Sequence, residues 1–405
     1  MAKSKVLPIE NLKSGMVLSR PIVTKRGQTI AKAGTVLSHS LINRLSFYKI
    51  ESAEVENDFT DDPDYQESRN RQMVPPVMPV PVEMPVEEEI VIEEVAPVEE
   101  AVPEKAEKYV SDSLSYTAKM QQSSEFQSFQ VDFMKNIANL KNTFDEIKNG
   151  ATHVDTTALL AECSKLFSSK TPLQLFTLMH TMKSMDDSVY AHSINVALIA
   201  RSMGRWLRLP KERLDKLTLA GLLHDIGKLQ IPNEVLNKTE KLTDEEFNLI
   251  RQHPVLGNKM LKSVGADSYL CTCALQHHER FDESGYPRRL PGDEIDDYAA
   301  IIAIADVYDA MTASRSYRQP KSPFEVIHEF ERDGYQKYHP KYIMTFLSHI
   351  ASLYINAQVL LNDGRKARVV FINRNKLSAP IVELLDTKDT LDLSKEKKIQ
   401  ITKIL

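Results

Sequence analysis

The chain has 405 residues, enough for two or three domains, and is 42% hydrophobic and 26% charged, as a soluble globular protein is. Its formal net charge of −5 argues against duplex nucleic acid as a partner. Met1-Ala2-Lys3-Ser4-Lys5 lacks the apolar run of a signal peptide, and no stretch reaches the roughly 18 uninterrupted apolar residues of a membrane span. The expectation is a cytoplasmic protein with no membrane segment. Cys163, Cys271 and Cys273 match no zinc-finger or redox spacing and read as small core residues in a reducing compartment.

Residues 1–56 predict a small β-rich docking or regulatory domain, a site for a protein partner. Val17-Leu18, Ile22-Val23, Thr29-Ile30 and Val36-Leu37 are short strand-like runs punctuated by Gly15, Gly27 and Gly34. Leu41, Leu45 and Tyr48 share one face of a short helix. Residues 57–115 read as a disordered acidic linker. No Lys or Arg lies between Gln72 and Glu104, while Pro75, Pro76, Pro79, Pro81 and Pro85 break any helix.

Residues 116–150 predict a connecting helix. Phe126, Phe129, Phe133, Ile137, Leu140, Phe144 and Ile147 form a seam on one face, ended by Gly150. The seam has two readings: a homodimer through helix 126–147, or packing on the next domain. Residues 151–355 read as helix after helix, converging in an all-α bundle. Thr243 and the acidic turn after it predict a capping box, and Ser322-Pro323 predicts another helix start. Residues 356–405 predict a short β appendage, opened by a hairpin turn at Asn362-Asp363-Gly364.

The chemistry concentrates in residues 224–306. His224-Asp225 closes an apolar helix, with Gly227 and Lys228 just beyond. Successive helical residues point about 100° apart, so a helix end at this point would let both side chains reach a metal pair. His277-His278 repeats the pattern. Asp306 lies in an otherwise apolar helix, where a carboxylate is costly to bury without a partner or cation.

His192, His224-Asp225-Ile226-Gly227-Lys228, His253, His277-His278-Glu279, Gly285-Tyr286-Pro287, Asp306-Val307-Tyr308-Asp309-Ala310 and Arg315-Ser316-Tyr317-Arg318 resemble the HD-GYP subfamily of HD-superfamily phosphohydrolases. The resemblance implies a mainly α, HD-type helical bundle and hydrolysis of cyclic di-GMP to linear pGpG, with slower cleavage to GMP. It implies metal ligands His192, His224, Asp225, His253, His277, His278 and Asp306, with two divalent ions, iron or manganese. Asp225 would bridge the ions, and Lys228 would act with it in catalysis. Lys228, Tyr286, Arg315 and Arg318 would contact substrate. Two other readings remain open at this point: a phosphodiesterase for another cyclic dinucleotide, and a catalytically weak receptor signalling through the N-terminal domain.

Three positions depart from the pattern. Glu283 stands where the loop usually has glycine, which suggests a cost if φ is positive there. Ser188 stands where members with three metals carry Glu, which favours two metals; Asp187 beside it is a weak substitute. Ala300 stands where the family often has Arg, which implies one lost cationic contact.

Overall fold

The computed structural model describes residues 4–23, 29–37, 41–42, 45, 50–56, 121–168, 170–182, 188–238, 240–313, 321–396 and 398–405. At the N-terminus, β1 (Ser4–Pro8) pairs antiparallel with β4 (Ser52–Glu56), and β2 (Ile22–Val23) with β3 (Thr29–Ala31). Leu18, Leu37, Leu45 and Val55 centre a small core of their own. The expected acidic linker lies outside the described residues.

The helices follow in order. They are α1 (Ser124–Lys148), α2 (Thr156–Phe167), α3 (Pro172–Met182), α4 (Val189–Trp206), α5 (Lys211–Leu223), α6 (Asn233–Leu236), α7 (Asp244–Ile250), α8 (His253–Ser263), α9 (Ser268–Gln276), α10 (Asp297–Thr312), α11 (Pro323–Glu329), α12 (Tyr335–Lys337) and α13 (Pro340–Leu353). Local chemistry sets several starts. Thr243 and Glu246 form the capping box of α7, and Ser322 and Glu325 that of α11. The Ser188 side chain accepts from the Ala191 N–H and caps α4. A π-helical turn, Phe330–Gly334, joins α11 to α12. Among the described residues no helix is long and apolar enough to cross a membrane.

Five antiparallel strands close the chain: β5 (Gln358–Leu361), β6 (Lys366–Phe371), β7 (Ile381–Leu384), β8 (Thr390–Asp392) and β9 (Ile401–Ile404), in the order β8-β7-β6-β5-β9. The turn at Asn362-Asp363-Gly364 joins β5 to β6, with Gly364 at φ 86°. Strand β8 has no sequence signal, because three residues are too few to show alternation.

One hydrophobic core runs from Phe126 on α1 to Ile401 on β9. Two expectations change with it. Phe126, Phe129, Phe133, Leu140, Phe144 and Ile147 are buried in this core, so the seam packs within the chain, while Val131 and Met134 on the same helix stay exposed. Helix α1 and the terminal sheet, read as a connector and an appendage, share the core of the helical unit: Val359, Ala367, Val369 and Val382 are fully buried in it. The three cysteines are free and buried, as expected.

Removing the Phe133 ring should therefore act on folding, not on assembly. Phe133→Ala is expected to cost about 3–5 kcal/mol of stability. Denaturant unfolding measures this, and sedimentation should give the same mass for wild type and variant.

Candidate metal centre

Two helix ends create the centre. Helix α5 stops at Leu223, His224 keeps helical angles (φ −56°, ψ −36°), and Asp225 leaves them (φ −100°, ψ 7°) for a 3-10 turn over Ile226–Gln230. The break turns two consecutive side chains toward one place. At the end of α9, His277 is the C-cap and His278 follows it out of the helix. Gly227 makes the packing possible. A β-carbon there would lie 2.0 Å from the His253 carbonyl oxygen, so only glycine lets the turn seat against the first residue of α8. His192 comes from α4 and Asp306 from α10.

Asp225, 1% exposed, sits between two sets of imidazoles. Its Oδ2 is 3.3 Å from His224 Nε2 and 3.6 Å from His192 Nε2. Its Oδ1 is 3.3 Å from His253 Nε2 and 3.7 Å from His277 Nε2. Asp306 Oδ1 is 3.1 Å from His192 Nε2, and its Oδ2 is 3.9 Å from His278 Nδ1. Two ligand groups result: Asp225, His253, His277 and His278, and then His192, His224 and Asp306.

Hydrogen bonds fix what these groups present. The Nδ1–H of His224 donates to the Gly221 carbonyl at 2.8 Å, that of His253 to Ile250 at 2.8 Å, and that of His277 to Ala274 at 3.0 Å. The His192 Nδ1–H donates to Asp309 Oδ2 at 2.7 Å. Carbonyls and carboxylates only accept, so in the neutral rings each Nε2 is a bare lone pair aimed inward. His253 and His277 point theirs at each other across 3.1 Å. His224 Nε2 and Asp225 Oδ1 are buried without a hydrogen-bond partner. A buried ring of facing acceptors is unfavourable unless a cation lies among them. The donor set of imidazole and carboxylate therefore fits divalent metal.

Electrostatics agrees. Burial lowers His277 to about 4, and burial with the neighbouring His277 holds His278 well below the usual histidine range, so both rings are neutral ligands at neutral pH. Burial opposes charge on Asp225 and Asp306. His224 and Lys228 nevertheless hold Asp225 well below the usual carboxylate range, and His192 does the same for Asp306. His192 differs: burial works against its cation, but Asp306 and Asp309 outweigh it and raise the ring to about 9, so without metal its Nε2 holds a proton toward Asp306 that a bound cation would displace. Lys228 Nζ stands 2.5 Å from Asp225 Oδ2, with its side chain 24% exposed at the mouth of the site.

The loop after His278 is built without its expected glycine. Glu283 does take positive φ, 65°, and is solvent-exposed. Buried Glu279 anchors the loop by accepting from the Arg288 N–H at 2.7 Å and the Leu290 N–H at 3.1 Å. Asp282 Oδ1 accepts from the Ser284 hydroxyl at 2.5 Å and the Ser284 N–H at 3.2 Å. Gly285 cannot be replaced, since a β-carbon there would lie 2.4 Å from the Arg280 nitrogen. The Tyr286 ring stacks on His278, with centroids 4.7 Å apart and planes at 25°.

All seven ligand candidates, with Lys228 and Tyr286, meet in this one place. Arg315 and Arg318 lie outside the described residues, as does Asp187. Ala300 is buried in the apolar core, and six residues along a helix turn it about 240° away from Asp306. Ser188 serves as a helix cap. Sequence reasoning gave no role to Asp309 and Glu279. Asp309 was detectable, since it lies three residues after Asp306 on the same helix face.

Two outcomes follow from this geometry. Asp309→Ala frees the His192 ring and should weaken metal binding about 10- to 100-fold with helicity retained, measured by metal titration and circular dichroism. Glu283→Gly removes a left-handed strain of about 1–2 kcal/mol but adds chain freedom, for a net gain of about 0.5–1 kcal/mol in denaturant unfolding.

Comparison with known proteins agrees with this centre. The HD domain family matches residues 173–342. Cyclic di-GMP phosphodiesterase PA4108 of Pseudomonas aeruginosa is 37% identical over 205 residues, which is 50% of this chain and 49% of that protein. The 3'3'-cGAMP-specific phosphodiesterase 1 of Vibrio cholerae is 44% identical over 138 residues, 34% of this chain and 32% of that protein. The chain thus spans about half the length of the first of these relatives and about a third of the second. The structure of Bd1817, a HDG"Y"P protein from Bdellovibrio bacteriovorus, aligns over 85% of this chain and 98% of that one, with TM-score 0.45 and 13% identity. The ligand candidates and the Gly285-Tyr286-Pro287 loop thus meet within the stretch, residues 173–342, that matches the HD domain family.

Proposed function

We propose that the protein is a metal-dependent phosphodiesterase that opens cyclic di-GMP to linear pGpG, as the names of several relatives suggest. The observation that carries the reading is the inward ring of acceptors around Asp225, divided between its two carboxylate oxygens. We take the two ligand groups to hold one ion each, bridged by Asp225, and the mixed nitrogen and oxygen donors to favour iron or manganese. Metal bound there would polarise a phosphoryl oxygen and lower the pKa of a water.

The protein's own residues have separable tasks. Asp309 holds the His192 ring in one tautomer and orientation. Lys228, beside Asp225 and part-exposed, supplies positive charge where phosphoryl oxygens would gain negative charge. Tyr286 lies over His278 and bounds the substrate's approach. In the reaction a water oxygen bonds to phosphorus, the bond from phosphorus to the 3′ oxygen breaks, and that oxygen takes a proton.

A second reading is favoured by one finding: a relative 44% identical over its matched stretch is named for 3'3'-cGAMP. Phosphate-directed groups would serve either ring, so base choice rests with residues farther out.

The test is turnover of iron- or manganese-loaded protein with cyclic di-GMP, 3'3'-cGAMP and cyclic di-AMP, followed by chromatography. Linear pGpG is expected, and Asp225→Ala should lower its formation about a hundredfold or more. Tight binding with no product from any of the three would leave the receptor in place of the enzyme.

A further inference from the structure

Arg251 stands in the turn between α7 and α8, two residues before His253. Its guanidinium carbon lies 4.7 Å from the centroid of the Tyr286 ring and 5.8 Å from that of Phe247. Tyr286 in turn stacks on His278, so one aromatic ring separates this cation from a ligand candidate. Some arginines of the fold have carboxylate partners: Arg201 pairs with Asp215 at 2.7 Å, and Arg365 with Asp363 at 2.7 Å, while Arg280 donates to the His277 and Glu279 carbonyls. Among the described residues no carboxylate pairs with Arg251; its contacts are ring faces. A guanidinium packed on a ring face keeps its N–H edge for a planar or tetrahedral oxyanion.

A cyclic dinucleotide carries two phosphodiester groups, and only one can be attacked at a time. The other is a second anion on the same ring, while Lys228, beside Asp225, serves the group under attack. We propose that Arg251 is a substrate-positioning residue that binds the uncleaved phosphodiester, with Tyr286 holding its guanidinium flat and aimed. The proposal rests on the cyclic-dinucleotide reading given above. It assigns the second phosphate to a residue outside the HD and GYP motifs. A contact of this kind is uniform binding, so its loss should appear in KM and leave kcat comparatively intact.

The experiment compares metal-loaded full-length wild type with Arg251→Ala and Arg251→Lys. Substrates are cyclic di-GMP, cyclic di-AMP and the single diester bis(4-nitrophenyl) phosphate. Arg251→Ala should raise KM for the cyclic dinucleotides about tenfold, as loss of one charge-assisted hydrogen bond does, with kcat changed less than about threefold. Arg251→Lys should recover part of the loss. The KM change should be at least about fivefold larger for cyclic di-GMP than for the single diester. An equal fall in kcat on all substrates would overturn the proposal and leave Arg251 as a prop for Tyr286. A loss confined to cyclic di-GMP would overturn it in favour of a contact to guanine. Should Arg251→Ala lose metal or unfold, the contrast of Arg251→Lys with Arg251→Gln carries the test, and equal KM values for those two would count against it. Wild type that neither binds nor cleaves any cyclic dinucleotide would sink the functional reading itself, an outcome distinct from unchanged KM in an active enzyme.

Discussion

The structure depends on lone pairs that have nowhere else to go. Four histidines spend their Nδ1–H on a carbonyl or on Asp309, and so turn Nε2 toward a buried carboxylate that also only accepts. The 3.1 Å approach of His253 to His277 is the clearest sign that this arrangement is built for a cation. In an ordinary core such groups would be hydrogen-bonded in pairs of donor and acceptor, because each unpaired buried acceptor costs about 1–3 kcal/mol. Here the backbone does the opposite. It consumes the donors on the outside of the ring and leaves the acceptors inside.

Holding that arrangement requires rigid support, and the fold provides it from several directions. The ligands come from α4, the ends of α5 and α9, the first residue of α8, and α10. None of these elements is adjacent to all the others in sequence, so the site exists only when the bundle is packed. The single core from Phe126 to Ile401 explains why α1 and the terminal sheet belong to the same unit. Helix α1 packs against α4, which carries His192, while β9 packs against α11. Gly227 shows how local this constraint becomes: one β-carbon would separate the 3-10 turn from α8 and with it Asp225 from His253.

Much of this was legible in the sequence for a physical reason. A metal site needs several residues of a few types, and each is chemically conspicuous in an apolar helix. His224-Asp225 and His277-His278 could be read as helix ends because adjacent residues converge only where helical geometry stops. Asp306 stood out against Ile301, Ile302 and Ile304. The capping boxes at Thr243 and Ser322 were legible because their hydrogen bonds are local. What failed was partner choice. The seam on α1 is equally apolar whether it faces a second copy or α2 and α4, and periodicity carries no information about which. Glu279 was obscured differently, since its task is to hold two backbone N–H groups nine and eleven residues away, and a backbone group has no sequence signature.

The two halves of the site are built on different principles, and that difference bears on how each can vary. The ligand half is buried, fixed by helix termini and tied to the stability of the bundle, so a change there disturbs packing as well as metal. The outer half rests on a loop that tolerates Glu283 at φ 65° and on part-exposed side chains such as Lys228, Tyr286 and Arg251. The loop keeps its shape because Glu279, Asp282 and Gly285 hold it from behind, which frees position 283 from needing glycine. An acidic side chain there is exposed to solvent, where its field is screened within about 8 Å at physiological salt. Its field at the metal ligands is therefore modest beside that of Lys228, 2.5 Å from Asp225 Oδ2. Substrate choice can change in this outer half through single side chains while the acceptor ring beneath stays the same.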